Sequence, residues 1–429
     1  MRKKFYSYVI PTLLAQLLWG VYCVVDCFFI GNRLGDDGLA AIGLAYPIIG
    51  VLTSAGFGIG MGGSILRTIR EAAGKKEQAA DYDHVTVTML VLTTGLFLLA
   101  VPFLLDPLLR AVGAEGQVFA YGRTYLRIMF FGSLFQLLGS GLPPLIRNHG
   151  SASVSMAVMV TGCLTNIVLD YVFIMRMDYG VSGAAWATVL GQALAAAGGA
   201  AFFLIRRIPV FRWKLRLRTV LEILRTGISS FGISLCPSIG LFLMNLFLVA
   251  YGGMPAIAAY SIISYMTWVV YLVLQGTGDG CQPLLSASLG AGDAAGSRGY
   301  ERLAYRFAMI LAILSMAALY VTRNWMGPAF GASEEISGMV GHTMPILLLG
   351  FVPLAYARVT AASFYAAAES GSAAVLTYGE YIFLFLFLLI LPRLGGLEMV
   401  WWSLTVSQCA AAVLAYCLMA RGCQRPHAI

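Results

Sequence analysis

Long apolar stretches, separated by short polar or basic segments, run along the whole chain. A helix needs about 20 mainly apolar residues to cross the hydrocarbon core of a bilayer. The first stretch is too long for the core of a signal peptide, so we interpret it as a membrane span. Twelve spans are predicted, at residues 7–30, 39–66, 85–106, 123–146, 153–175, 181–205, 225–250, 256–287, 303–322, 338–366, 373–392 and 397–420.

Composition supports an all-α integral membrane protein. Hydrophobic residues make up 59% of the chain and charged residues only 11%, whereas soluble domains carry about 25% charged residues. The eight cysteines contain no Cys-x-x-Cys pair, and the four histidines are scattered. We therefore expect no disulfide, no metal centre of the zinc type, no cofactor and no enzymatic activity.

The basic residues are unevenly distributed between alternate loops. If the N-terminus is cytoplasmic, 21 of the 28 Lys and Arg residues fall on the cytoplasmic side. The other seven are Arg33, Arg110, Arg123, Arg127, Arg176, Arg323 and Arg393. Such a bias predicts a plasma membrane protein with both termini in the cytoplasm. It also accounts for the net charge of +8 without a nucleic-acid partner.

The chain divides into two similar halves. In each half a proline, Pro11 or Pro237, precedes a glycine-rich stretch, Gly56–Gly63 or Gly276–Gly280. Because each half contains an even number of spans, both halves begin on the same side of the membrane. A pseudo-twofold axis along the membrane normal is therefore predicted. Two six-helix bundles with a cleft between them suit alternating access. The predicted domains are 1–205, a basic linker 206–224, and 225–429.

The first half places several oxygen-bearing groups inside the predicted spans. Asn166 and Asp170 share one helix face because they are four residues apart. Two neighbouring carboxylates inside a bilayer are costly unless a proton or a metal ion such as Na⁺ neutralises them. The predicted cation-coupling layer, just beneath the outer surface, consists of Asp26, Tyr125, Asn166, Asp170, Ala184 and Thr188. A purely structural hydrogen-bond network is the alternative.

The second half has no equivalent acidic layer. Asn245 stands about where Asp26 stands in the first half. Asp279 is the only acid near the middle of a span, and we expect it in a water-filled vestibule on the substrate pathway. Arg358 and Glu380 lie closer to the predicted cytoplasmic side, where we expect water to solvate them.

Several motifs in this order resemble the multidrug and toxic compound extrusion (MATE) family over nearly the whole chain. The branch to which the chain is similar contains the DinF-like and MepA-like prokaryotic exporters. The motifs are Asp26-x-x-Phe-Ile-Gly31, Arg147-x-x-Gly150, Asn166-Ile-x-Leu-Asp170, Gly183-Ala-Ala-x-Ala-Thr188 and Gln282-Pro283.

The resemblance implies that Asp26, Asn166, Asp170, Thr188 and the Ala184 carbonyl bind sodium or a proton, with Tyr125 in the same network. It implies a substrate pathway that includes Pro11, Tyr22, Met159 and Ser140, the last at a position where the family often has asparagine. The implied protein is a monomeric, cation-coupled antiporter for organic, cationic and amphipathic compounds. A dedicated exporter of one metabolite and a flippase for lipid-linked precursors are the alternatives.

Overall fold

A computed structural model describes residues 1–111 and 113–422, except for the side chains of residues 36 and 102. Helices dominate this part of the chain, and it contains no β-strand. The helices are α1 (Arg2–Ala72), α2 (Lys76–Ala111), α3 (Gly116–Phe131), α4 (Ser133–Asn148), α5 (Ala152–Asp170), α6 (Gly180–Ile205), α7 (Leu217–Gly290), α8 (Ala294–Ala329), α9 (Glu334–Leu348), α10 (Phe351–Ala366), α11 (Ser370–Ile390) and α12 (Pro392–Gly422).

Breaks and bends convert these helices into twelve membrane-crossing spans. Glycines with a positive φ divide α1 at Gly35 (φ 61°) and α7 at Gly253 (φ 64°). The pairs α3–α4 and α9–α10 are each apolar enough to form one span, bent by 61° and 47°. Within the described ranges, nine helical segments are long and apolar enough to cross a bilayer. The two bent pairs and the break in α7 bring the total to the predicted twelve, which confirms the fold class.

The bent spans differ from the straight helices that the hydrophobic pattern predicts. Gly132 separates α3 from α4, and a Cβ at this position would lie 2.5 Å from Val189 Cγ2 on α6. The bend therefore occurs where only a glycine allows α6 to pack this closely. Gly350 occupies the same kind of position between α9 and α10, against Gln408 of α12.

The chain forms two compact units. The first contains residues 10–235 and 289–292, and the second contains residues 1–9, 236–288 and 293–429. The basic segment after α6 and the first part of α7 therefore belong to the first unit. The domain boundaries inferred from the sequence stay a prediction.

The glycine-rich stretch Gly56–Gly63 of α1 packs against three other helices of its unit. Methyl groups at Gly56 and Gly60 would lie 2.9 Å from Leu137 O and 2.6 Å from Gly141 Cα, both on α4. Gly58 and Gly62 meet the first part of α7 around Gly227, and Gly63 meets Thr86 on α2. Small residues allow such close helix contacts in membrane proteins. The glycine pattern is thus a packing feature.

We expect Gly60→Ala to destabilise the protein by about 1–3 kcal/mol, because the backbone of α4 must move to make room. Gly43→Ala is the matched control, since Gly43 lies in the same helix and a methyl group added there would have no atom within 4 Å. The control should be neutral or slightly stabilising because alanine favours helix. Thermal unfolding in detergent measures both effects, and equal unfolding temperatures would contradict the packing role.

Candidate coupling site

The close approach of α5 and α6 positions the centre of the site. A Cβ at Gly191 would lie 2.7 Å from Gly162 O and 3.1 Å from Asn166 Cβ, so these helices touch through backbone atoms. This contact brings the polar face of α5, with Asn166 and Asp170, against Thr188 on α6. The polar side chains are at most 5% exposed: Asp26, Asn166, Asp170 and Thr188.

The Asn166 amide connects α5 to α6. The amide can adopt two orientations. In the first, both of its polar atoms have partners: its nitrogen donates to Asp170 Oδ2 (3.0 Å) and its oxygen accepts from Thr188 N (3.2 Å). The reversed amide donates to Thr188 Oγ1 (3.3 Å) and turns its oxygen towards Asp170. A carboxylate favours the first orientation and a protonated carboxyl the second. The Thr188 hydroxyl also donates to Ala184 O (3.1 Å), which places that carbonyl in the network.

Helices α1 and α3 complete the cluster. Asp26 of α1 lies within electrostatic range of Asp170 and of Tyr125 on α3. Tyr125 also lies close enough to Thr188 on α6 to interact with it electrostatically. Asp26 Oδ1 and Asp170 Oδ1 are buried and accept no hydrogen bond from any described residue. The structure therefore brings together every residue of the predicted coupling layer and leaves two carboxylate oxygens available.

The chemistry of the cluster favours a proton or a hard cation. Its donors are carboxylate, amide, hydroxyl and carbonyl oxygens, which suit hard cations better than zinc or copper. In the described part of the chain, no group of three or more His, Cys, Asp or Glu residues is arranged to bind a metal ion. Two nearby carboxylates in an apolar surrounding favour whichever cation neutralises them.

The residues predicted to line the substrate pathway occupy different places. Tyr22 lies beside the cluster, within electrostatic range of Asp26. Pro11 is half-buried in α1 and Met159 half-buried in α5. The Ser140 hydroxyl donates to Gln136 O (2.8 Å) of its own helix. These four belong to the first unit, Asp279 belongs to the second, and their roles stay predictions.

Sequence reasoning missed Tyr46. This side chain lies within electrostatic range of Asp26 and Tyr22, and its hydroxyl donates to Cys23 Sγ (3.4 Å). Tyrosines are common in apolar helices, so the residue type alone does not distinguish Tyr46 from a packing residue. Its position directly before Pro47, inside a span, was the available signal.

A short π-helix, which we call the π turn, and an exposed ion pair lie at the predicted outer end of the site. Residues Tyr171–Arg176 form a π-helix directly after Asp170. Beyond it, Asp178 (φ 57°) forms a bidentate salt bridge with Arg33 of α1, with both N–O distances 2.8 Å. The Arg33 guanidinium lowers the pKa of the Asp178 carboxyl by hydrogen bonding and charge attraction. The pair ties α1, just before its break at Gly35, to the turn that follows Asp170.

The second unit contains a buried ion pair instead of a cluster of acids. Arg358 Nη2 lies 2.6 Å from Glu380 Oε2, and the guanidinium stacks on the Tyr271 ring at 4.6 Å. The expectation that water solvates Arg358 and Glu380 is therefore wrong. It failed because helices α10 and α11 turn the two charges towards each other inside the unit.

Asp279 is also buried, at 1% exposure. Its Oδ1 accepts from Tyr365 Oη (2.7 Å) and from Gln275 Nε2 (2.9 Å). The expected position in a water-filled vestibule is therefore wrong, because side chains of α7 and α10 take the place of water around this carboxyl group.

We expect Arg358→Met to cost about 3–5 kcal/mol, because it leaves Glu380 buried without its cation. Glu380→Met should cost a similar amount for the opposite charge. The double variant should recover most of the stability, since neither charge is then left alone. Thermal unfolding of the four proteins in detergent measures the coupling, and a double variant as unstable as the sum of the single ones would contradict it.

We expect Asp178→Asn to speed amide hydrogen exchange in Tyr171–Arg176, because the π turn loses its tie to α1. Asparagine tolerates the left-handed backbone, so the change removes the charge without adding strain. Asp106→Asn is the control, since it removes the exposed Arg123–Asp106 pair (2.8 Å) elsewhere in the same unit. It should leave exchange in the π turn unchanged.

The difference in exchange rate between wild type and Asp178→Asn should shrink as the pH falls. Because the pKa of Asp178 is lowered in the folded protein, the ion pair contributes fully above the usual pKa of an aspartate. Its contribution is lost as the pH falls through the lowered value. Exchange rates, corrected for intrinsic chemistry, should converge for wild type and Asp178→Asn at acidic pH. A constant difference at all pH values would contradict this assignment.

Known proteins with similar sequences are transporters. The profile of the MatE family matches residues 11–172 and, a second time, residues 230–391. The multidrug export protein MepA of Staphylococcus saprophyticus is 26% identical over 431 residues, covering 96% of this chain and 92% of the relative. MepA of Staphylococcus aureus strain MRSA252 is 25% identical with the same coverage.

Solved structures share the fold. An outward-facing multidrug resistance MATE family transporter of the MOP superfamily aligns with a TM-score of 0.92 at 21% identity, covering 99% of this chain and 97% of the other. A MOP superfamily transporter from Pyrococcus furiosus aligns with a TM-score of 0.88 at 24% identity, covering 98% and 95%. The double profile match covers most of the sequence, and the helices have the matching architecture. The chain therefore belongs to the MatE family of multi-pass membrane transporters and is not an enzyme.

Proposed function

We propose that the protein is a cation-coupled antiporter that exports organic, cationic and amphipathic compounds across the plasma membrane by alternating access. The observation that carries the proposal is the pair of buried carboxylates, Asp26 and Asp170, each with one oxygen that accepts no hydrogen bond from a described residue. Ionisable groups inside a membrane span are costly and mark ion pathways. The related multidrug export proteins support export as the direction.

The coupling ion is a proton or Na⁺. Either ion neutralises the carboxylates, and no cofactor takes part. A proton on Asp170 favours the reversed Asn166 amide, whose oxygen then accepts from the protonated carboxyl while its nitrogen donates to Thr188. A sodium ion would take the oxygens of Asp26, Asp170, Asn166 and Thr188, with the Ala184 carbonyl. Cation binding thus changes the bonds between α5 and α6.

Energy coupling follows from the cost of an unneutralised site. With both carboxylates ionised, the cluster favours a conformation that is open to the cation, and neutralisation removes that preference. The cation can bias the equilibrium between the two conformations only by as much as its affinity differs between them. If both termini are cytoplasmic, the site loads from the outside, and the inward cation gradient drives solute export.

The solute meets Tyr22 and Met159 in this proposal. A positive charge is attracted by aromatic faces and by a nearby carboxylate, and methionine adapts to ligands of different shape. Asp26 lies within electrostatic range of Tyr22, so neutralising the site weakens its attraction for a cationic solute. The transporter acts as a monomer in the lipid bilayer and needs no nucleic acid or obligate protein partner.

Transport of a cationic dye by the purified protein in proteoliposomes tests the proposal, with the Na⁺ and pH gradients varied separately. We expect Asp26→Asn and Asp170→Asn each to abolish gradient-driven dye transport, because the site then keeps only one of the two carboxylates that the cation neutralises together. Asp106→Asn, at an exposed aspartate of the same unit, is the control and should transport normally. Dye exchange that survives both site variants would overturn coupling through this site.

A further inference from the structure

The segment that joins α6 to α7 has a two-residue repeat of apolar and basic side chains. Residues 208–216 form no regular helix, and α7 begins at Leu217. The apolar positions are odd-numbered: Phe211, Trp213, Leu215 and Leu217. The basic positions are even-numbered: Arg212, Lys214, Arg216 and Arg218. Alternation with a period of two puts the two kinds of side chain on opposite faces when the backbone is extended. We call residues 206–218 the linker strip.

Contacts with α2 and with the core hold the strip in place. Lys214 and Arg216 both form ion pairs with Asp81, the second at 2.9 Å, and Lys214 N donates to Thr88 Oγ1 (3.3 Å). Val210 is fully buried in the hydrophobic cluster that α4, α5 and α6 form. The strip is therefore attached along one side, and its position does not depend on the apolar side chains.

The apolar face of the strip is exposed. Trp213 and Leu217 are each 74% exposed, and Leu215 is 61% exposed. Contiguous exposed apolar side chains of this size mark an interaction surface. If these apolar side chains stayed in water, they would contribute nothing to the stability of the strip, which other contacts already hold in place.

The place of the strip in the chain limits what can cover this face. It begins directly after α6 and ends as α7 begins, and both helices contain membrane spans. The strip therefore lies close to the boundary between membrane and water. Tryptophan is enriched at that boundary because its ring is apolar and its N–H is polar.

The charge of the segment points to an anionic partner. Residues 206–225 contain seven basic side chains and one acidic side chain, Glu222. Asp81 and Glu222 offset two of the seven, which leaves an excess of five positive charges. Lys75 and Lys76, exposed at the start of α2 beside Glu77, add one further net positive charge to the same region. A guanidinium group can donate two parallel hydrogen bonds to the oxygens of one phosphate. Basic segments next to the membrane attract anionic lipids.

We propose that the linker strip is a binding site for anionic phospholipids. The apolar face enters the boundary between headgroups and acyl chains. Headgroup phosphates bind to Arg207, to Arg212 and to the terminal nitrogens of the exposed Arg218, whose Nε pairs with Glu222 (3.1 Å). The site is independent of the coupling cluster and of the direction of transport. A second copy of the chain or another protein on this face would be a different outcome, which the experiment below distinguishes.

The test measures quenching of Trp213 fluorescence by lipids brominated near the headgroup, in nanodiscs that contain one full-length protein each. The Trp213 signal is the difference between wild type and Trp213→Phe. Total lipid composition is kept constant while the bromine is carried either by phosphatidylglycerol or by phosphatidylcholine. We expect a blue-shifted Trp213 emission and stronger quenching by brominated phosphatidylglycerol.

Charge variants give the matched comparison. Arg207→Gln, Arg212→Gln and Arg218→Gln combined should reduce the preference for phosphatidylglycerol, by up to about fivefold per charge. The same three positions changed to lysine should keep most of the preference. Arg323→Gln with Arg393→Gln, at two arginines outside the segment, should leave it unchanged.

Three results would overturn the proposal. Trp213 emission typical of an indole in water, with no quenching, would show that lipid does not cover the strip. Equal quenching by both lipids, or a preference for phosphatidylglycerol that the glutamine variant retains, would show that the arginine charges do not select anionic lipids. Quenching that disappears when larger discs hold two copies of the protein would assign the face to self-association. If the glutamine variant fails to fold, the comparison of the two lipids on wild type still decides.

Discussion

The cost of burying charge in an apolar surrounding is met in one way at the acidic cluster of the first unit and in another way at the Arg358–Glu380 pair of the second. In the second unit Arg358 neutralises Glu380 directly, and the Tyr271 ring covers the guanidinium. In the first unit Asp26 and Asp170 have no basic partner among the described contacts, and each leaves one oxygen unsatisfied. The first arrangement is complete by itself. The second leaves two acids without a counter-charge from the protein, which is the observation behind the proposed coupling to a cation.

Close backbone packing makes the incomplete site possible. Gly162 and Gly191 let α5 and α6 touch, so that Asn166 spans the gap between Asp170 and Thr188. The glycines of Gly56–Gly63 likewise bring the second span of α1 close to α2, α4 and the start of α7. Larger residues at Gly162 or Gly191 would separate α5 from α6, and the oxygens on these two helices would no longer converge. Small residues are therefore as much a part of the site as the acids.

The hydrophobic pattern was sufficient to predict twelve spans and the helices that carry the coupling layer. The four-residue spacing of Asn166 and Asp170 predicted their shared face, because spacing along one helix is a local property. Pairing between helices is not local. The contact of Arg358 with Glu380, the proximity of Tyr46 to Asp26 and the bend at Gly132 depend on how distant segments pack. No pattern along a single sequence specifies these contacts, and the sequence reasoning therefore placed Arg358 and Glu380 in water.

The two glycines that break α1 and α7 carry a consequence for the history of the chain. Gly35 and Gly253 have nearly the same backbone angles (φ 61° and ψ −154°; φ 64° and ψ −159°) at nearly the same place in the two family matches. Residues with a Cβ avoid this conformation. An ancestral gene duplication would thus have copied a connection that tolerates almost no substitution. The polar interiors of the copies were free to diverge into an acidic cluster in one and a neutralised pair in the other.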